Sequence, residues 1–481
     1  MLRTERQNPS VGLAFACAWG ATGVLLLATA CASVGPDYSR PEVPTPSVWS
    51  GQLEGGLTAA ELDPASLSRW WEGLGDPLLS RFVETAIEAN LDLRTADARL
   101  RQARAERALA RGARFPTLGG RGSAVRSGEI TSGGSSSELY SGGFDASWEI
   151  DVFGGQRRAI EAADADEQAA VESRRDVLVS VLAEVALNYV ELRTFQRRLA
   201  IAEQNLKIQE DALGIVQAQV AGGAASGLDL EQATSNVAAT RAQIPSLSQN
   251  LSRAKNRISV LLGEAPGSRS EEFRDARELP VPPVEVALGV PADVLRRRPD
   301  VRRAERQLAA ETARVGVTTA ELYPKFVLNG TIGIESLSGA GLGLYDVGPE
   351  VTWRIFDGGR TRSKIEVQDA IQEQALIAYE SALLEALEDV ENAITDFAEE
   401  QVRLRSLRES EEAAARAAAL ASTRYEAGAS PFLDVLDAQR SLLSAADSRA
   451  ASEGEVVSNV IRLYKALGGG WNSEEPGAEG T

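Results

Sequence analysis

Leu178, Val185, Leu192, Leu199, Leu206, Leu213 and Val220 recur at every seventh position. No proline interrupts 156–220, and glycine is absent from it until Gly214. This spacing predicts one very long helix with a coiled-coil seam, ~100 Å long at a rise of about 1.5 Å per residue. The companion seam positions are Leu182, Tyr189, Gln196, Glu203, Glu210 and Gln217, a narrow and partly wet stripe. A helix of that length needs neighbours along all of it. After a turn at Ala221-Gly222-Gly223 a returning helix carries Leu230, Val237, Ile244, Leu251 and Ile258. Pro245 is expected to kink it without ending it, since the seam continues on both sides. A second long helix follows Phe356-Asp357-Gly358-Gly359, with seam residues Leu376, Leu383, Val390, Phe397 and Leu404, and loses its seam at Glu411. The turn Ala427-Gly428-Ala429-Ser430-Pro431 leads to a last helix with Val435, Leu442, Val456 and Leu463.

Ahead of each long helix the period changes to two. Tyr140, Phe144, Ala146, Trp148, Ile150 and Val152 alternate with Ser141, Asp145, Ser147, Glu149 and Asp151. Phe326, Leu328, Ile332 and Ile334 alternate with Val327, Asn329, Thr331 and Glu335, and Tyr345, Val347, Val351, Trp353 and Ile355 alternate with Asp346, Glu350, Thr352 and Arg354. Strands are expected at about 117–127, 138–152, 325–336 and 345–356, long enough to cross a bilayer when tilted. Taken singly, each strand fits a half-buried sheet of a soluble protein equally well. Asp76 with Pro77 opens an earlier helix, and Phe115-Pro116 and Tyr323-Pro324 close corresponding helices. The segment Trp353 to Gly468 lies about 205 residues after Trp148 to Gly263, which marks an internal duplication. The domains read as 76–265 and 266–470, with hairpins at 156–262 and 360–467 and a disordered tail at 471–481. Four strands are too few to close a membrane barrel and their edges are untenable in lipid, so if the strands span a membrane several chains must share one barrel.

Composition narrows the function. The chain of 481 residues carries a net charge of −19, which argues against nucleic-acid binding. It has no His and a single Met, so His-based acid–base catalysis and His metal sites are absent. Both cysteines, Cys17 and Cys31, lie near the N-terminus. Arg3 and Arg6 precede an apolar stretch from Val11 to Ala30, which reads as a signal peptide over residues 1–30. Small residues before Cys31 resemble a bacterial lipoprotein cleavage box, with lipid on Cys31 and an extended segment at 31–75. Ordinary cleavage or a stop-anchor helix would fit the same stretch.

The chain resembles the outer-membrane efflux family, the TolC-like exit ducts, in the lipoprotein branch typified by OprM and NodT. The match is carried by Val34-Gly35-Pro36-Asp37-Tyr38-Ser39-Arg40-Pro41, Trp70-Trp71 with Gly75-Asp76-Pro77, Arg298-Pro299-Asp300-Val301, Tyr323-Pro324 and Phe356-Asp357-Gly358-Gly359-Arg360. Arg424-Tyr425 and Leu433-Asp434-Val435-Leu436-Asp437 complete it. The resemblance implies a mainly α fold with a small β part: a homotrimer whose protomers each give four strands to one outer-membrane barrel and long helices to a periplasmic α-barrel. It implies a passive, non-enzymatic duct for drugs or toxic metabolites, fed by a periplasmic adaptor and an inner-membrane pump of RND type, with outer-membrane lipid around it and no cofactor beyond the lipid. Asp434 and Asp437 match the gate at the periplasmic tip, and an N-cap role fits Asp434 as well. Asp229, Arg424 and Tyr425 match a tip latch. Gly222, Gly223, Gly428, Ala429 and Ser430 match adaptor contacts, though the glycines would also serve the turns alone. A protein-secretion duct of the same fold and a coiled-coil structural lipoprotein are the alternatives.

Overall fold

The duplication is written into element lengths. Helices α1 (Pro77–Ala89) and α2 (Leu91–Gly112) lead into strands β1 (Thr117–Gly128) and β2 (Ser136–Ile150), then into the hairpin of α3 (Gly155–Ala221) and α4 (Gly227–Leu261). The second half gives α5 (Pro291–Arg297), α6 (Pro299–Ala320), β3 (Lys325–Leu337), β4 (Ala340–Thr352), α7 (Arg360–Glu426) and α8 (Phe432–Ala466). α2 and α6 are each 22 residues, α3 and α7 each 67, and α4 and α8 each 35. The computed structural model describes residues 33–51, 53–130, 136–337 and 340–472. The expected signal peptide, Cys31 and residues 473–481 lie outside these.

The chain divides into two units. One takes Leu100–Ala170 and Arg303–Glu380 with the chain up to Glu42. Its centre is one antiparallel sheet in the order β1-β2-β3-β4. At the base of the sheet the Phe153 ring stacks on Tyr323 at 4.6 Å. The segment from Ser33 to Arg40 straps across this corner. The Val34 amide donates to the Phe153 carbonyl at 3.1 Å. The buried Arg158 guanidinium donates to the Val34 and Gly35 carbonyls and to Asp37. Gly154 is required there: its φ is +81°, and a Cβ would lie 2.8 Å from the Ser33 backbone.

The second unit takes Val43–Arg99, Val171–Arg302 and the chain from Ser381. Its main core packs Trp70, Trp71, Leu79 and Phe82 against Leu182, Val185, Tyr189 and Leu192 of α3 and Ile258 of α4. Asp76 caps α1 by accepting from the Leu78 and Leu79 amides. Asn90 serves two helices at once: its Oδ1 accepts from the Asp92 and Leu93 amides at the start of α2, and its Nδ2 donates to the Leu261 carbonyl at the end of α4. Arg193 is fully buried and donates to Gln196, to the Tyr189 hydroxyl and to the Asp275 carbonyl, so its charge is solvated by the protein.

Several sequence expectations change. The companion seam of α3 follows Leu182, Tyr189 and Gln196, then crosses over to Ala202, Gln209 and Val216, leaving Glu203, Glu210 and Gln217 exposed. A helix of 3.6 residues per turn drifts about 20° per heptad against a strict seven-residue repeat, and the charged side chains remain in water. The α7 seam breaks at Glu411, which forms an ion pair with Arg449, and then resumes at the buried Ala418. Residues 31–75 are not simply extended: Leu57–Thr58 pairs in parallel with Val286–Ala287, and helical turns follow at Pro64–Ser68 and Trp70–Leu74. Trp471 does not belong to a tail; it is buried, with the guanidiniums of Arg175, Arg297 and Arg302 over its ring. The last strand covers Ala340–Thr352 where 345–356 was expected, because β3, its one neighbour among the described residues, begins at Lys325, opposite Thr352.

Candidate functional site: an open-edged sheet and paired hairpin turns

Two features stand out, one in each unit. The first is the sheet. Directly opposed residues share a face, and Phe144 stands opposite Ile332, which stands opposite Tyr345. Trp148 opposes Leu328, and Val347 opposes Gly330, on the same side. These large apolar residues are exposed, not packed on a core. The other face is mainly polar, with apolar exceptions such as Val125, Leu342 and Leu344. On it Ser147 donates to Asn329 at 2.9 Å, Asn329 donates to Glu350 at 2.6 Å, and Lys325 pairs with Glu149 at 3.8 Å. A sheet with its apolar face bare and its polar face internally hydrogen-bonded suits lipid outside and water inside. Two indoles mark its base. Trp148 donates to the Arg114 carbonyl at 2.9 Å and Trp353 to that of Leu322 at 3.0 Å, both with rings still partly exposed. Glu149 lies on the polar face as expected. Asp151 does not continue it: its carboxylate caps α3 by accepting from the Gln156 and Arg157 amides.

Both ends of the sheet are open. β1 pairs only with β2 and β4 only with β3 among the described residues. No described helix is long and apolar enough to cross a membrane.

The second feature is the pair of hairpin turns. Each long helix ends in the same backbone motif. The Ala224 amide donates to the Gln219 carbonyl and the Gly223 amide to that of Val220; the Ala429 amide donates to Arg424 and the Gly428 amide to Tyr425. Gly223 and Gly428 hold φ of +75° and +70°, the left-handed position that closes such a turn. Gly222 does not need its freedom, as a Cβ there would make ordinary contacts with the Ala218 and Gln219 carbonyls at 3.5 and 3.7 Å. The turns are tied by an apolar cluster of Val216, Ala233, Phe432, Val435 and Leu436. The Tyr425 ring lies 5.2 Å from that of Phe432, and its hydroxyl donates to Gln219.

The candidate tip residues fall around this cluster. Asp434 and Asp437 are exposed on α8, on the side away from the buried Phe432, Val435 and Leu436. Asp434 is not the N-cap: Pro431 holds that place and Asp434 lies in the first turn. Asp437 has Arg440 at 3.5 Å. Asp229 does not meet Arg424 or Tyr425; its carboxylate accepts from Ser226 in a capping box, and Tyr425 turns to Gln219 instead. Arg424 and Ala429 are exposed, whereas Ser430 is half-buried with its Oγ shielded. Sequence reading missed Phe432 and Val216, the apolar clamp of the tip, because they lie on helices far apart in the chain.

Residues 82–264 and 290–469 match the family model described as outer membrane efflux protein. The chain belongs to that family. Nodulation protein T of Rhizobium leguminosarum bv. trifolii is 34% identical over 93% of this chain and 96% of that protein. OpmQ of Pseudomonas aeruginosa, a pyoverdine export outer membrane protein, is 32% identical over 94% of this chain and 98% of its own length. Among solved structures the outer-membrane channel OprN is 36% identical, with a TM-score of 0.84 over 92% of this chain and 100% of that one. The open state of the MtrE outer membrane channel of Neisseria gonorrhoeae is 28% identical, with a TM-score of 0.80 over 92% of this chain and 99% of that one. The fold is therefore that of the TolC-like channels, and this efflux family member acts as an exit duct in the outer membrane.

Proposed function

We propose that three copies of this chain build one duct, and that it carries small molecules handed over by an inner-membrane pump and a periplasmic adaptor. One observation carries this reading: a four-stranded sheet with two unpaired edges and a bare apolar face. Three copies give a closed barrel with no edge left in lipid. The long hairpins of the three copies form a tube of helices. The duct passes solutes without transforming them. Its cargo is set by the pump: the relatives are named for exports as different as pyoverdine and cations, which a wide, hydrogen-bonding lumen accommodates alike. The pump is of RND type. Cys31 carries the lipid that holds the N-terminus to the membrane.

The hairpin turns form the periplasmic entrance. Asp434 and Asp437 face the axis as acidic rings, which repel one another and hold cations. Gly222, Gly223, Gly428, Ala429 and Ser430 are the surface offered to the adaptor, and Arg424 reaches across to a neighbouring hairpin. Asp229 and Tyr425 support that latch through the cap and the clamp they make within the chain. The test is single-channel recording of purified protein. D434A/D437A raises conductance and abolishes block by divalent cations; unchanged conductance and block reject the gate.

A further inference from the structure

We propose that the second unit holds a carboxylate site at Arg297 and Trp471, and that its occupant is the chain's own acidic tail. The carboxylate of Glu474 or Glu475 seats against the Arg297 guanidinium and the Trp471 indole, and so pins the chain that follows α8 to α5.

Trp471 is delivered to its place by the glycines after α8. Gly470 has a φ of +103°, its amide donates to the Leu67 carbonyl at 3.0 Å, and a Cβ there would lie 2.7 Å from Leu182 Cδ1. That conformation and that closeness favour glycine. The indole then lies among three guanidiniums: Arg175 of α3 at 4.5 Å, Arg302 of α6 at 5.4 Å and Arg297 of α5 at 5.5 Å from the ring centre. Arg297 also donates to the Trp471 carbonyl at 3.0 Å.

The site lacks an anion. Arg175 and Arg302 share the buried Glu172 carboxylate, at 2.8 and 2.9 Å. Arg297 has no carboxylate in ion-pair reach among the described residues; its Nη2 donates to the carbonyls of Trp471 and, at 3.5 Å, Pro64. Its Nε is buried without an acceptor, and so is the Nε1 of Trp471, a residue only 4% exposed. Burial pulls the Arg297 guanidinium below its ordinary value, with the charge of Asp63 acting in the opposite sense. Water would satisfy the two N–H groups and leave the charge uncompensated. A carboxylate does both, since it accepts from several donors and carries the opposite charge.

The sequence supplies that acceptor within reach. After Asn472 it runs Ser473-Glu474-Glu475-Pro476-Gly477-Ala478-Glu479-Gly480-Thr481, with three carboxylates and no Lys or Arg. Glu474 lies three residues past Trp471 and Glu475 four, which extended chain spans in about 10–14 Å. Either covers the 5.5 Å between the indole and Arg297. The stretch next to the site is acidic where the site is cationic, and this complementarity selects it over a more distant segment. Once docked, the tail ties the end of α8 to α5, and the indole ties it through Arg175 and Arg302 to α3 and α6.

The test uses R297K, which keeps the charge and puts an amine in the site. A water-soluble carbodiimide, applied to the full chain without added C-terminal residues, joins that amine to Glu474 or Glu475 as an amide; the water lost is taken up by the carbodiimide, which becomes its urea. Tandem mass spectrometry of the joined peptides locates the bond. The expected yield is at least tenfold above coupling to Glu479 in the same sample. Absence of coupling to Glu474 and Glu475 overturns the proposal, whether or not the amine reacts with Asp63. A bond between two chains, read as a doubled mass under denaturing conditions, overturns docking within the chain. Urea denaturation gives a second reading without a crosslinker. E474Q/E475Q lowers the midpoint in the parent protein and leaves it unchanged in an R297Q background; equal shifts in both backgrounds overturn the contact. Inorganic phosphate that raises the melting temperature of the parent but not of R297Q, with the tail uncoupled, gives the site to a free anion and overturns the tail as its occupant.

Discussion

Phe432→Ala tests whether the tip is held shut by packing. The Phe432 ring is buried against Val216, Val435 and Leu436, with Tyr425 at 5.2 Å. Removing a buried phenyl ring costs about 3–5 kcal/mol, and the lower end applies where the surroundings can collapse, as at a hairpin end. The hydrogen bond from Tyr425 to Gln219 contributes only about 1 kcal/mol. A loss of about 3 kcal/mol in local opening speeds amide exchange roughly a hundredfold at the turn amides. The amides to follow are those of Ala224 and Ala429, which close the two turns. F432L keeps most of the apolar volume and costs about 1 kcal/mol, a change of about fivefold. Hydrogen-exchange mass spectrometry reads both. The reasoning fails if exchange at Ala224 and Ala429 in F432A rises by less than about threefold, or if F432L matches F432A.

Further outcomes follow from buried polar groups. Arg298 is buried and holds Asp300 at 2.6 Å, Asp389 at 2.8 Å and the Ala466 carbonyl at 3.0 Å. R298M leaves the Ala466 carbonyl without this donor, while Asp300 and Asp389 still reach water at 26% and 56% exposed, and it lowers stability by about 1–3 kcal/mol, measured by urea denaturation in detergent; an unchanged midpoint contradicts the arrangement. The Tyr189 phenol is pushed up from 10.0 to about 12, first by burial and then by its hydrogen bond to Asp76. A raised folded pKa gives stability that is complete below the unfolded value and is lost as pH rises through the folded one. Melting temperature therefore falls between about pH 10 and pH 12, and the fall is shallower in Y189F than in the parent protein; parallel curves contradict it.

How much of this was legible in the sequence depended on how local the signal was. The helix hairpins were readable because Leu178 to Val220 and Leu376 to Leu404 repeat without a proline to interrupt them, and the glycines at the turns have no competing use. The strands were readable from alternation, and β4 was misjudged for an instructive reason. Its pattern runs on through Trp353 and Ile355, but a strand needs a partner, and among the described residues the pairing ends at Thr352. The crossover of the α3 seam to Ala202, Gln209 and Val216 was hidden because a heptad count ignores the slow drift of a straight helix. At the tip, residue type misled. Asp229 matches a latch by type, and within the chain its carboxylate accepts from the Ser226 hydroxyl in a capping box, a second use that residue type alone does not reveal. Trp471 looked like part of a polar tail; its arginine partners lie on two distant stretches of chain, at Arg175 and at Arg297 to Arg302, which no local pattern reveals.

The central claim is that one chain is one-third of a closed tube. Native mass spectrometry of the mature protein, extracted in mild detergent from outer membranes, weighs the assembly directly. The account predicts a species of three chains and nothing smaller at equilibrium. A stable single-chain species, soluble without detergent and with its sheet edges unpaired, would contradict it.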